Sequence, residues 1–196
     1  MNLIRLLTLA AAIYSNQATA EPLRPVDVEQ FDVAGVRLGM SRSEAVTAIS
    51  EKLELGKHDV QFEPFPQENV VTKTKEPRYF MVKKGHAEVT VSLSPRIPYD
   101  KSRPMAVFSI TYKQPPTPQN ESAMRSAAIE KYGPPTDHGS SWCLRPHPNP
   151  GIACSQVQEN GPTLLLVGSE LVLNDHRYFQ ELINYINMKQ SGKPAF

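Results

Sequence analysis

No stretch after the first twenty residues approaches the roughly 20 consecutive apolar residues that a membrane-spanning helix needs, so no transmembrane segment is expected. Nor is there a surplus of either charge outside that opening stretch. Of the 21 Lys+Arg residues only Arg5 lies in residues 1–20, none of the 20 Asp+Glu does, and the remainder balances at 20 against 20. Nucleic-acid-binding domains carry a basic surplus, so no nucleic-acid partner is expected. The chain also lacks a Gly-x-Ser-x-Gly elbow, a His-Glu-x-x-His pair, a glycine-rich phosphate loop and a Cys-x-x-Cys pair. Its five histidines (His58, His86, His138, His147 and His176) are scattered, mostly beside turns. Ser140 and Ser141 lie near His138, but nothing in the sequence activates either as a nucleophile. The expectation is a protein that is not an enzyme and holds no cofactor or metal.

Residues 1–20 themselves have the layout of a secretory signal: one cation (Arg5), an apolar run over residues 6–14, and Ala18-Thr19-Ala20 before Glu21. The run is too short to span a bilayer, and the small-x-small triplet is a cleavage signal. No Cys follows the cleavage point, so no lipid anchor is implied. The expectation is a periplasmic or secreted protein, soluble after cleavage near Ala20. The remaining 176 residues are read as a flexible leader (21–30), one domain (31–188) and a frayed tail (189–196). That length suits one domain with a real core. Eighteen prolines cluster in the connections, which implies stiff loops, since Pro serves neither a central strand nor a helix interior.

Cysteine is scarce: two residues, Cys143 and Cys154. An even count in an exported chain favours a disulfide across a short proline-rich loop. Two alternatives stay open. His138, Cys143, His147 and Cys154 lie close enough together to suggest a metal site, although their spacing fits no standard zinc pattern. The thiols could also remain free.

The clearest local signal is Ser41-Arg42-Ser43-Glu44, a capping box, followed by Val46, Ile49 and Leu53 on one helical face and Gly56 as a stop. Short strands are expected at 60–65, 79–83, 88–94 and 105–112. Val89, Val91 and Leu93 alternate with polar partners, and Phe108, Ile110 and Tyr112 are expected on one side. The order then recurs. Asn120 is a candidate cap for a second helix bearing Ala123, Met124, Ala127 and Ala128, which ends at Tyr132-Gly133-Pro134. Strands are expected at 141–144, 154–158, 163–167 and 170–173. A last helix, capped by Asn174 or Asp175, carries Tyr178, Phe179, Leu182, Ile183 and Ile186. The expected fold is α+β, an antiparallel sheet packed by helices in two layers, with a hint of a duplicated helix-then-strands unit.

The Gly35-Val36-Arg37-Leu38-Gly39-Met40-Ser41 stretch, with Glu44-Ala45-Val46 after it, resembles a motif of small bacterial envelope proteins with the β-lactamase-inhibitor-like, BamE (SmpA)-like fold. In that group a Leu-Gly-Met-(Ser/Thr) turn opens a helix and another helix ends in Gly-Pro, as Gly133-Pro134 does here. The resemblance covers about twenty residues and implies a two-layer α/β fold without catalysis. BamE-type proteins are lipid-anchored, and this chain has no Cys for that.

Three features are candidates for contact with another envelope protein. Trp142 and Arg145 flank the first cysteine, and Trp and Arg are enriched at interface hot spots; the competing role for Trp142 is packing over the disulfide. Lys73, Lys75, Arg78, Lys83 and Lys84, against Glu76, form a local cationic segment that suits an acidic partner or weak contact with an anionic membrane surface. The competing role there is a solvated face and protection of a sheet edge. Tyr99, Phe108 and Tyr112 are candidates for a groove on the sheet. An inhibitor of a secreted enzyme, acting through the Cys143–Cys154 loop, is the alternative function, and an exported hydrolase a further one.

Overall fold

The computed structural model describes residues 25–190 except 57, 138, 150 and 158–160. The expected signal segment with its cleavage point at Ala20, His138, Asn160 and tail residues 191–196 lie outside these residues. The fold is α+β, built on a seven-stranded antiparallel sheet. A short hairpin comes first, β1 (Asp32–Val33) and β2 (Val36–Arg37), followed by helix α1 (Arg42–Leu53). Next come β3 (Val60–Phe62), β4 (Tyr79–Lys84), β5 (Ala87–Pro95) and β6 (Met105–Lys113). Helix α2 (Pro118–Tyr132) leads to β7 (Ser141–Cys143), β8 (Pro162–Val167) and β9 (Glu170–Asp175), and helix α3 (Arg177–Gln190) closes the chain.

The strand order is β3-β4-β5-β6-β9-β8-β7. Each half is thus a helix followed by an antiparallel meander. The last strands of the two halves, β6 and β9, join them through pairs such as Ser109 with Asn174 and Ile110 with Leu173. Period-two alternation places one row of side chains across nearly the whole sheet: Phe80, Val91, Ile110, Leu173, Leu164 and Trp142, each opposite the next. These six are completely buried. A one-residue slip of any strand would turn its apolar set to the other face, so this row fixes the register.

Helices α1 and α2 and the β1–β2 hairpin cover that face. The capping box is present: the Ser41 amide donates to Glu44 Oε2 (2.7 Å), and the Glu44 amide donates to Ser41 Oγ (3.4 Å). The Ser41 amide and hydroxyl, which both donate to the carboxylate (2.7 and 2.8 Å), hold the Glu44 carboxyl down at about 2. The Leu38-Gly39-Met40 stretch docks on β6, where the Gly39 amide donates to the Val107 carbonyl and the Val107 amide to that of Met40 (both 2.8 Å). Its place in the fold is to lay the start of α1 along the strand that β9 leaves uncovered there.

The structure departs from the expectations at several points. The second half of the leader is anchored: the Val26 amide donates to Cys143 O (3.2 Å), and Val28 is buried in a 3-10 turn. Thr117, not Asn120, caps α2, because Pro118 suits the first helical position and has no amide to satisfy. Residues 154–156 form a 3-10 turn rather than a strand, closed by the Val157 amide on Cys154 O (3.2 Å). In β6, Ser92 pairs with Ser109 but Leu93 pairs with Val107, leaving Phe108 as the extra residue of a bulge. Phe108 therefore faces away from Ile110 and Tyr112.

Candidate interaction surface

The sheet face opposite α1 and α2 is lined by short side chains. Thr90, Ser92, Ser109, Thr111, Val172 and Asn174 stand on it in cross-strand rows, all half-buried. Among the described helices only α3 reaches this face. Its first turn is firmly held: buried Asp175 accepts from the Arg177 amide (3.0 Å) and from its guanidinium (2.8–3.2 Å), and Arg177 also donates to Glu29 (2.8 Å). The Asp175 bonds above all raise the Arg177 guanidinium further above its ordinary value. Beyond that turn the helix seats weakly. Tyr178, Leu182, Ile183 and Ile186 are only half-buried, and Phe179 is 68% exposed.

Between α3 and the sheet lies a groove of about 350 Å³. Tyr79, Ser92, Ser94 and Phe108 form its sheet side, Tyr178, Phe179 and Leu182 its helix side, and Arg78 and Asn69 its rim. The Phe108 bulge makes this wall, with the Phe108 and Tyr178 rings 6.4 Å apart. Burial, before any neighbouring charge, raises the Tyr178 hydroxyl above its ordinary value. A groove of this size is at the lower end of ligand and peptide sites, mostly apolar with a few polar groups at its edge.

A second cleft, about 300 Å³, lies under α2. Ala123 and Ala127 are too small to close the gap to Val33 and Ala34 of the hairpin. Its Lys131 is already engaged, donating to the Asp32 carbonyl (2.8 Å) and carboxylate (2.7 Å). Partial burial raises the Asp32 carboxyl, but Lys131, the Gly35 amide and Lys52 together leave it below the usual carboxylate range.

The sequence candidates are dispersed. Trp142 is completely buried, with its indole N–H donating to Gly133 O (2.9 Å) and its ring 6.1 Å from that of Tyr132. A partner does not reach it, because β7 places it on the core face opposite Leu164. Cys143 and Cys154 are joined as a disulfide, sulfur to sulfur 2.11 Å, so neither is a thiolate ligand. Both are buried, while Leu144 and Arg145 beyond the first are exposed. The cations do not form one patch. Arg78 is bound to Glu63, Lys83 pairs with Glu88 (3.1 Å), and Lys84 donates to Glu54 O at the end of α1 (3.3 Å). Lys83 and Lys84 lie at the far end of β4 from Arg78, and Lys73 and Lys75 lie in the loop before it. Tyr99, Phe108 and Tyr112 do not share a groove: Tyr112 faces α2, Phe108 faces α3, and Tyr99 is in the β5–β6 loop. The α3 groove was hidden because a bulge and the choice of sheet face create it, and neither shows in the spacing of apolar residues.

Among the described residues no group of three His, Cys, Asp or Glu is placed to hold a metal ion, and no helix is long and apolar enough to cross a membrane. Comparison with family models, curated proteins and solved structures gives no match for this chain.

Proposed function

We propose that the chain is an exported, non-catalytic binding module of the bacterial envelope, and that its partner, another envelope protein, lays an apolar segment into the groove beside α3. The observation that carries this reading is the asymmetry of the sheet. Among the described residues, one face is closed by two helices and a hairpin, while the other bears a single helix whose apolar stripe is nowhere fully buried. An apolar groove flanked by an exposed aromatic anchor and rimmed by polar groups is the anatomy of a recognition site. The resemblance of residues 35–46 to the BamE-like envelope proteins supports the same class, as do the signal-like residues 1–20 and the disulfide, which suits an oxidising compartment.

Exposed Leu144 and Arg145, next to the disulfide, support the inhibitor reading more weakly. Among the described residues they come with no groove or row of apolar anchors. The two readings separate by substitution. Phe179→Ser removes the exposed anchor of the groove and is expected to weaken partner capture about tenfold, as loss of a hot-spot aromatic does. Leu144→Ser is expected to leave it unchanged. The reverse pattern transfers the site to the disulfide loop.

A further inference from the structure

Residues 63–78, between β3 and β4, form a loop closed at its neck. Glu63, buried at the neck, accepts from the Arg78 amide (2.8 Å) and from its guanidinium, and the Glu63 amide donates to Tyr79 O (3.1 Å). The Arg78 side-chain bonds, first among the causes, hold the Glu63 carboxyl below its ordinary range. Inside the loop a second ring of bonds fixes the turn at 69–74. The Asn69 amide donates to Thr74 O and the Lys73 amide to Asn69 O (both 2.9 Å), while Asn69 Oδ1 accepts from the amides of Val71 and Thr72 (2.9 and 3.2 Å). The Thr72 and Thr74 hydroxyls bond each other at 2.8 Å.

A loop so thoroughly bonded nevertheless holds its largest apolar side chains in water. Phe65, between Pro64 and Pro66, is 81% exposed, Val70 at the turn is 62% exposed, and neighbouring Phe62 on the edge strand is 44% exposed. Near them Lys73 and Lys75 are exposed and make no ion pair with any described residue. The loop's acids are largely spoken for: Glu63 is held by Arg78 and Glu76 by Arg42 (3.3 Å), which leaves Glu68. The loop thus carries exposed apolar side chains at Phe65 and Val70 and two cations without ion pairs to described residues, with the 69–74 turn held by its own hydrogen bonds.

We infer that this loop docks on an anionic bilayer surface, with Phe65 and Val70 entering the boundary between headgroups and acyl chains and with Lys73 and Lys75 meeting lipid phosphates. Lipid suits it better than a protein partner. The exposed side chains stand singly on an inter-strand loop and line no groove among the described residues, and a bilayer, unlike a protein hot spot, demands no matching concavity. Two apolar side chains and two cations give weak, reversible and salt-sensitive attachment. The loop borders the α3 groove through Asn69 and Arg78, but Phe65, Val70, Lys73 and Lys75 do not line it, and the groove's partner plays no part in the inference.

The test uses the chain from Glu21 onward, which contains the whole described fold and lacks the apolar run of residues 6–14. Trp142, the only tryptophan, is completely buried and serves as an internal reference. The F65W variant is mixed with vesicles of brominated phosphatidylcholine containing about one-third phosphatidylglycerol. The added indole is expected to shift to the blue and to be quenched, while wild-type emission stays unquenched. The shift is expected to vanish in vesicles without phosphatidylglycerol, in about 0.5 M NaCl and in K73E/K75E. Cosedimentation of F65S/V70S with the same vesicles is expected to fall about fivefold below wild type; both changes are on the surface, and the thermal midpoint checks that the fold is kept. Unchanged F65W emission, or equal cosedimentation of F65S/V70S and wild type, overturns the inference. Crosslinking of position 65 to an envelope protein without vesicle binding gives the loop to a protein partner and overturns it equally.

Discussion

The indole N–H of Trp142 donates to the carbonyl of Gly133 at 2.9 Å, and this bond ties the edge strand β7 to the end of α2. The helix ends there because Gly133 adopts φ 80°, which turns the chain back toward the sheet. Thr136 completes the connection: the Cys143 amide donates to its hydroxyl at 2.8 Å, beside the buried disulfide. Trp142 thus organises the core of the second half. Trp142→Phe keeps an aromatic but leaves the Gly133 carbonyl unpaired. It is expected to lower stability by about 1–3 kcal/mol, read as a shift of the urea midpoint at unchanged slope. A surface tryptophan would cost about 0.5 kcal/mol or less.

The disulfide closes a loop whose ends are 11 residues apart. Chain entropy alone assigns such a crosslink about 3 kcal/mol. The C143A/C154A double variant is expected to lose about that amount in urea unfolding. Dithiothreitol should destabilise the native chain and leave the double variant unaffected.

Glu44 links stability to pH. Its carboxyl lies at about 2 in the folded chain, against an ordinary 4.5, chiefly because Ser41 donates to it. A carboxyl depressed by folding adds stability in full above its unfolded value. That contribution is lost as pH falls from about 4.5 through about 2. E44Q is therefore expected to show a shallower loss of thermal midpoint over that range than wild type. S41A, which removes the cap itself, is expected to cost about 1 kcal/mol at neutral pH.

Two glycines separate strain from crowding. Gly39 has φ +77° and open space where a Cβ would stand, so Gly39→Ala is expected to cost only the left-handed penalty, about 1–2 kcal/mol. Gly35 has φ +83°, and its Cβ would lie 3.0 Å from Ala48 O and 3.1 Å from Lys52 Cβ. Gly35→Ala is expected to cost more than Gly39→Ala in the same urea titration, because α1 must also move off the hairpin.

These residues also show how much of the fold was legible in advance. The Ser41/Glu44 box, the Gly133-Pro134 exit and the alternation of Val89, Val91 and Leu93 are local patterns, and each marked its element. The β1–β2 hairpin was missed because its strands have two residues each and its turn places Ala34 at φ 52°, a conformation that propensity assigns to Gly or Asn. Phe108 was put on the wrong face because a bulge breaks alternation without changing composition. The apolar stripe of α3 is visible in the sequence, but its first turn is held through Arg177 both by nearby Asp175 and by Glu29, 148 residues away, and that long-range contact is not legible in the spacing of apolar residues. Among the site candidates, the Cys143–Cys154 disulfide follows from the even cysteine count, whereas the burial of Trp142 and the pairing of the cations depend on register, which residue type alone does not carry.

The most direct test of the binding-module reading is site-specific photocrosslinking in living cells, with a photoreactive phenylalanine analogue at position 179 beside the groove and, for comparison, at Ser126 on the exposed side of α2. The account predicts that position 179 crosslinks to a single envelope protein, that added bulk at Ser92 on the groove floor abolishes the crosslink, and that position 126 gives none. Equal crosslinking at both positions, or a crosslink at 179 indifferent to Ser92→Phe, would contradict it.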